Sequence, residues 1–281
     1  MKVKTLNLNR RVVSFTVFIF LVFSFIYMWA GKTVTAEDLK IPPAPQLVTD
    51  AWMLIIGFEA DPAVIKELLP SGLEPNPSNM VVINMYTVPE ASQTSGFGAY
   101  TLTYITVQLK DQDSYIMGSS TGEPGRYFTY YWNSSELMRA FTREVGIPAE
   151  TGSTQHVKEN GKLVSTLTVD GVPFIEATAQ VSDELQPTVG GHLNYFGLKK
   201  TPKSDGSGEL TQIIKFPIPF VVRTVKTENA TVTFKMPKEH PAYRLKPINV
   251  KWASYMKGSF VYPQAVVIKE WSSDLSRETN Q

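Results

Sequence analysis

Three charged side chains that could form a catalytic site lie close together in the sequence, Arg143 and Glu144 in one segment and Glu150 shortly after it. An apolar pocket raises the pKa of a carboxyl group, so Glu150 would act there as a general acid or base. Arg143 would contact the carboxylate of a ligand. A structural interpretation stays open beside this one, in which Arg143 and Glu144 form ion pairs that hold their segment against the rest of the fold.

The composition gives little support to other kinds of chemistry. The 281 residues include no cysteine, which excludes thiol nucleophiles, cysteine metal sites and disulfides. His156, His192 and His240 are far apart in the sequence, and their spacing to other ligand residues predicts no metal site. Phosphate-binding loops and the nucleophile elbow of esterases do not occur, so no cofactor is predicted. A net charge of +1 gives no reason to expect a nucleic-acid partner.

An amphipathic helix must position the candidate residues. Apolar residues recur at helical spacing after Glu136. Asn133 or Ser134 would cap the start of the helix, while Gly146 and Pro148 would end it. The pattern therefore predicts a helix that stops abruptly and passes into an extended segment.

A predicted strand supplies the other side of a pocket. Residues 100–108 alternate between two faces, and Tyr100, Leu102 and Tyr104 share one of them. We expect this face, together with Ala149 after the helix, to bind the substrate. The alternative is that the aromatic side chains belong to the core.

Most of the remaining sequence is typical of antiparallel strands. Asn160-Gly161 and Asp170-Gly171 suit the type I′ turns of hairpins. A short helix is predicted at Ala63–Leu69, and a long loop at Pro187–Gly208 because of its glycines, lysines and small residues. Many strands and few helices predict a mainly β (α+β) fold, an antiparallel barrel or cone with a few peripheral helices.

The N-terminal sequence predicts export. Basic residues precede an uncharged apolar run from Val12 to Gly31, and Val34-Thr35-Ala36 matches a signal-peptidase site. The run suits either a cleaved signal peptide or a retained membrane anchor, and only the second would make the membrane a partner. Both place the remaining chain outside the cytoplasm, as a periplasmic, secreted or membrane-anchored protein. The predicted organisation is a signal or anchor at 1–36, a proline-rich linker at 37–50, one domain at 51–271 and a disordered tail at 272–281.

Several local sequences, in order, resemble the acetoacetate decarboxylase family between Trp52 and Trp271. They are the helix before Pro70-Ser71-Gly72, the run Ser95-Gly96-Phe97-Gly98-Ala99-Tyr100-Thr101, Arg126-Tyr127, Arg143-Glu144 with Pro148, and Tyr262-Pro263-Gln264-Ala265. The resemblance implies the family's fold, a small keto-acid substrate and a homo-oligomer.

The same resemblance implies reactive groups that this sequence lacks. The family uses a lysine of lowered pKa that forms an imine with its substrate, and acetoacetate decarboxylase is the standard example of this effect. The resemblance implies lysines at the positions of Ala149 and Glu150, and a glutamate at the position of Leu102. Lys199, Lys200 and Lys203 lie in the predicted loop and are expected to be solvated. Schiff-base decarboxylation is therefore expected to be lost.

Two hypotheses about function follow from the resemblance and the missing lysines. In the first, the protein is a lyase of the acetoacetate decarboxylase superfamily with an altered mechanism, which acts on a small keto acid or related carbonyl compound through Glu150. In the second, it is a pseudoenzyme that binds a small apolar or carboxylic ligand outside the cytoplasm without catalysis.

Overall fold

The structure of the protein is a computed structural model, which describes residues 39–274. The predicted signal peptide or membrane anchor at residues 1–36 lies outside the described residues, as does the end of the predicted tail. Between residues 39 and 274, we find no helix with the length and hydrophobicity that crossing a membrane requires. The described residues from Ile41 onwards form one compact unit.

Thirteen strands form one sheet, and two α-helices and two short 3₁₀ segments accompany it in the described part of the chain. The helices are α1 (Pro62–Leu68) and α2 (Glu136–Glu144), and the 3₁₀ segments are Ala91–Gln93 and Pro241–Leu245. The strands are β1 (Gln46–Glu59), β2 (Met80–Val88), β3 (Tyr100–Gln108), β4 (Tyr115–Ile116), β5 (Arg126–Asn133), β6 (Ala149–Thr151), β7 (Ser153–Glu159), β8 (Lys162–Val169), β9 (Val172–Leu185), β10 (Val189–Pro202), β11 (Gly208–Phe234), β12 (Asn249–Tyr262) and β13 (Val266–Asp274). The prediction of a mainly β fold is confirmed.

Seven of the strands form a closed circuit of pairings. The order is β10, β5, β3, β2, β1, β12 and β11, and β11 pairs back onto β10. The sheet is nevertheless not a true barrel, because β9, β8 and β7 continue from the second half of β11 and leave the circuit. All pairings are antiparallel except those of β5 with β10 and with β6.

The alternation of side chains along β1, β2 and β3 divides the hydrophobic interior into two main cores. The first core packs one face of these strands against β8 and β9, with Ile56, Ile83 and Leu167 among its fully buried members. The second core fills the inside of the circuit and is rich in aromatic residues, such as Tyr86 and Phe128. A third, smaller cluster surrounds Leu109, Phe196 and Ile213.

The predicted hairpin turns are confirmed. Asn160 and Gly161 have φ of 50° and 75°, and Asp170 and Gly171 have φ of 49° and 78°. Positive φ at both central residues is what a type I′ turn requires. These turns connect β7 to β8 and β8 to β9.

The long loop predicted at Pro187–Gly208 is wrong, because most of this segment is β10, paired along its length with β11. Its glycines allow close backbone contact. A Cβ on Gly191 would lie 2.1 Å from the Tyr115 carbonyl oxygen, and one on Gly197 would lie 2.9 Å from the Gly146 carbonyl oxygen. These glycines therefore allow β10 to pack tightly against β4 and against the segment after α2, which composition alone does not distinguish from a loop.

Helix α2 is confirmed, but its N-cap differs from the prediction. The hydroxyl of Ser135 accepts a hydrogen bond from the Met138 amide at 3.3 Å and caps the helix. Asn133 instead accepts from the Ser135 amide at 2.8 Å, and the Ser134 hydroxyl accepts from the Thr101 amide at 2.8 Å. Both neighbours of the cap thus help to attach the helix to the end of β5 and to β3.

We predict that Gly146→Ala destabilises the protein more than Gly171→Ala. Both glycines have positive φ, which costs an alanine about 1 kcal/mol. A Cβ on Gly146 would also lie 2.6 Å from the Leu198 carbonyl carbon, whereas Gly171 has no atom within 4 Å of that position. Crowding should therefore add ~1–3 kcal/mol at Gly146. Urea unfolding of the two variants measures the difference, and equal losses would contradict the tight contact between α2 and β10.

Candidate functional site

A cavity of about 470 Å³ lies inside the strand circuit. This is within the range of small-molecule sites, roughly 300–1,000 Å³. Its walls are mostly apolar and aromatic, and β1, β3, β5, β11 and β12 all contribute to them. Representative lining residues are Ile55, Phe128, Phe216, Val222, Met256 and Phe260. The described residues that line it include no lysine.

Buried tyrosines place hydroxyl groups in this apolar interior. Tyr86 and Tyr262 share a hydrogen bond of 2.5 Å between their hydroxyl oxygens, and Tyr104 and Tyr195 share one of 3.1 Å. Burial raises the pKa of Tyr86, Tyr104 and Tyr262 well above the usual value. These hydroxyls therefore stay neutral at physiological pH and serve as hydrogen-bonding groups.

Arg126 is a buried charge in the cavity wall, with 4% of its surface exposed. Its Nη2 donates to Oε1 of Glu123 at 2.8 Å, while Nε and Nη1 are buried and find no acceptor among the described residues. Gln108 Nε2 donates to the same Glu123 oxygen at 3.2 Å. Burial acts to lower the pKa of Arg126, but Tyr195 and Glu123 outweigh burial, so the pKa is raised and the charge is retained.

Asn84 is a second buried polar group in the wall. It is 2% exposed, and its Oδ1 has no hydrogen-bond partner in the described part of the chain. Asn84 is paired in register with Tyr104, so the two side chains lie beside each other on neighbouring strands. Unpaired polar atoms are rare in protein interiors, and Arg126 and Asn84 both place them at this cavity.

The predicted substrate-binding residues are all buried in the second core. Tyr104 lines the cavity. Tyr100, Leu102 and Ala149 are 2%, 0% and 4% exposed and belong to the same core, although they are not among the residues that line the cavity. The structure thus brings these four side chains together.

Glu150 faces away from this core. Strand β6 pairs with β5, with Ala149 beside Tyr131 and Glu150 beside Trp132. Because successive strand residues point to opposite faces, Ala149 and Tyr131 belong to the second core, while Trp132 belongs to the first. Oε2 of the exposed Glu150 accepts a hydrogen bond from Trp132 Nε1 at 3.2 Å. The structure does not bring Glu150 to the cavity, and its catalytic role stays a prediction.

Arg143 and Glu144 are exposed at the end of α2, and neither lines the cavity. Arg143 donates two hydrogen bonds to the Ala149 carbonyl oxygen, from Nε at 2.8 Å and from Nη2 at 2.5 Å. These contacts connect the helix to β6, which is a positioning role. The roles in catalysis predicted for these two residues remain untested predictions.

The histidines occupy separate positions. His156 Nδ1 lies 2.7 Å from the Ser165 hydroxyl oxygen, and burial lowers the pKa of His156 to about 4. His192 stacks with Tyr115, and His240 accepts from the Ala242 amide at 3.2 Å. Among residues 39–274, no group of metal-ligating side chains is assembled.

Sequence reasoning missed the roles of Arg126 and Asn84 in the cavity wall. In the sequence, Arg126 contributes only to a local resemblance. Both residues stand in strands that are mostly apolar or aromatic, where Arg126 is the one charged residue of β5 and Asn84 the one amide of β2, and such a side chain at a buried strand position is the signal that points to them. Their faces could not be assigned without knowing which strands close the circuit.

Comparisons with known proteins agree with this architecture. The family model described as Acetoacetate decarboxylase (ADC) matches residues 33–270. The chain belongs to the acetoacetate decarboxylase family. A comparison with curated proteins gave no match.

Several solved structures share this fold at low sequence identity. An acetoacetate decarboxylase structure is 19% identical with a TM-score of 0.69, covering 86% of this chain and 95% of that chain. The acetoacetate decarboxylase of Legionella pneumophila is 17% identical with a TM-score of 0.67, covering 86% and 98%. The enduracididine biosynthesis enzyme MppR, complexed with pyruvate, is 14% identical with a TM-score of 0.58, covering 84% and 93%.

We predict that Arg143→Gln lowers the free energy of unfolding by about 1 kcal/mol, since it removes charge-assisted hydrogen bonds to a carbonyl at a partly exposed position. Glu144→Gln, on the same helical turn and also exposed, should change it by less than ~0.5 kcal/mol. Chemical denaturation measures both variants. If Arg143→Gln were as stable as the wild type, the positioning role of Arg143 would be wrong.

Proposed function

We propose that this protein binds a small keto acid or related carbonyl or carboxylic compound in the cavity inside its strand circuit, and that it has lost Schiff-base decarboxylation. The observation that carries the proposal is a ligand-sized cavity whose described lining contains no lysine. Position 149, where the resemblance implies a lysine, is an alanine paired in register with the lining residue Tyr131. An imine requires an amine that reaches the carbonyl carbon of the ligand. The methyl group of Ala149 cannot form an imine.

The lysines considered as replacements give no support to the parent mechanism. Lys199 and Lys200 belong to the end of β10, and Lys200 forms an ion pair with Glu209 at 3.2 Å. A Schiff-base lysine must be neutral at working pH, which burial away from carboxylates promotes. Lys200 is exposed and faces a carboxylate, the opposite environment.

The class of ligand is supported by the family and by the cavity wall. MppR, which shares this fold, is complexed with pyruvate in one structure. In the present chain, Arg126 presents unpaired donors at the cavity, and an oxygen of a carbonyl or carboxylic ligand would accept from them. A lyase mechanism through Glu150 would need this carboxylate to act from the opposite face of β6, so we favour binding without catalysis.

Borohydride trapping tests the loss of imine chemistry. We expect that incubating the protein with acetoacetate and sodium borohydride leaves its intact mass unchanged, because no amine meets the carbonyl in the cavity. An acetoacetate decarboxylase that has the reactive lysine is the positive control and should gain a covalent adduct. Peptide mapping of an adduct to a lysine of this chain that reaches the cavity would overturn the proposal.

Export is part of the proposal and rests on the N-terminal sequence, with its basic residues, apolar run and small-residue cleavage pattern. Residues 1–40 fused to alkaline phosphatase should give active enzyme in a bacterial host, because that enzyme forms its disulfides outside the cytoplasm. The same fusion without Val12–Gly31 is the matched control and should be inactive. An inactive full fusion of normal abundance would contradict export.

A further inference from the structure

We infer that the ligand of this cavity is an uncharged carbonyl compound with an apolar body, whose oxygen accepts hydrogen bonds from Arg126. The inference rests on the proposed function, since it narrows the ligand from carbonyl and carboxylic compounds to neutral ones. It also departs from the anionic keto acids that the family resemblance implies.

Arg126 has two buried donor groups that are free to bind a ligand at the cavity. Its Nη2 donates a hydrogen bond to the Glu123 carboxylate, but its Nε and Nη1 are buried without an acceptor among the described residues. A buried donor without an acceptor is costly, and such groups are nearly always satisfied by protein, water or ligand. Because Arg126 lines the cavity, whatever fills the cavity can supply the acceptor.

Among the described residues that line the cavity, only Arg126 and Glu123 are charged. Nη2 of Arg126 lies 2.8 Å from Oε1 of Glu123. Gln108 also holds the Glu123 carboxylate in this position. The guanidinium charge is therefore already balanced. A ligand carboxylate would add a second anion next to Glu123 without a second cation, and a buried uncompensated charge is strongly unfavourable.

A neutral carbonyl avoids this cost. Its oxygen accepts from the free donors of Arg126 and brings no net charge into the cavity. Burial raises the pKa of Tyr86, Tyr131 and Tyr262 well above the usual value, so these hydroxyls add no charge to the cavity. Tyr86 hydrogen-bonds to Tyr262 and Tyr104 to Tyr195. The Tyr131 hydroxyl is buried without a partner among the described residues and is a further neutral donor for a carbonyl oxygen.

The remaining wall suits an apolar body. Phe128 and Tyr195 stack with ring centroids 5.0 Å apart at the side of Arg126, whose Cα is paired in register with that of Tyr195. Phe216, Ile218 and Phe220 of β11 continue the lining. Hydrocarbon placed against these side chains is removed from water, which favours binding in proportion to the apolar area buried.

Calorimetric titration of the purified full chain with 2-octanone and with octanoate at pH 7 tests the inference. The two probes have similar apolar bodies, but only octanoate is charged. We expect 2-octanone to bind at least about tenfold more tightly, which is the discrimination expected for avoiding one unpaired buried charge. This comparison needs no variant, so it does not depend on a substituted protein that folds.

Two variants test whether the preference for 2-octanone over octanoate comes from the ion pair of Arg126 and Glu123. Glu123→Gln removes the anion and should strengthen octanoate binding at least about tenfold, so that the preference for the ketone is lost. Arg126→Met removes the donors and should weaken 2-octanone binding at least about tenfold. Arg223→Met, at an exposed arginine outside the cavity lining, is the matched control and should bind both probes as the wild type does.

Tighter binding of octanoate than of 2-octanone by the wild-type protein would overturn this inference and leave the proposed binding function standing. Absence of binding by both probes would count against the proposed function itself, and the inference would fail with it. Unchanged 2-octanone affinity in Arg126→Met would refute Arg126 as the anchor.

Discussion

The pairing of β10 with β11 is the constraint on which the interior depends, because it closes seven strands into a circuit. Without that pairing, β10 would be an open edge of the sheet along most of its length, and the interior of the circuit would be open on that side. An exposed edge of this kind is a liability that proteins cover or pair. Closure gives the second core a volume that its side chains do not fill completely, and the remaining space is the cavity.

The closed strand circuit places the ion pair of Arg126 and Glu123 at the wall of an otherwise mostly apolar cavity. Arg126 stands at the first residue of β5, where that strand meets β10 in parallel, and Glu123 precedes it by three residues. The ion pair is nearly removed from water on the arginine side, and exchanging such pairs for hydrophobic residues is often neutral or stabilising. The role proposed for the pair at the cavity wall, where a bound ligand would meet the free donors of Arg126, would account for its presence.

The family relationship shows one fold formed by very different sequences. The chain shares its fold with two acetoacetate decarboxylase structures and with MppR at only 14–19% sequence identity. The residues at the reactive positions differ, with Ala149 and Leu102 buried where the resemblance implies ionisable groups. Fold is set by many packing contacts, whereas an activity depends on a few side chains, so the fold is retained when those side chains change.

Local sequence was enough to predict helix α2 and its stop before Gly146, the hairpin turns at Asn160-Gly161 and Asp170-Gly171, and the mainly β class, since these depend on residues near one another in the chain. It also placed an alanine at position 149, where the resemblance implies a lysine. The arrangement of the strands was needed to show that Glu150 lies on the side of Trp132 and the first core, that Arg126 and Asn84 line a cavity, and that the glycines of β10 are tightly packed. These features depend on which strand lies beside which, and a shift of one residue in register exchanges the two faces of a strand.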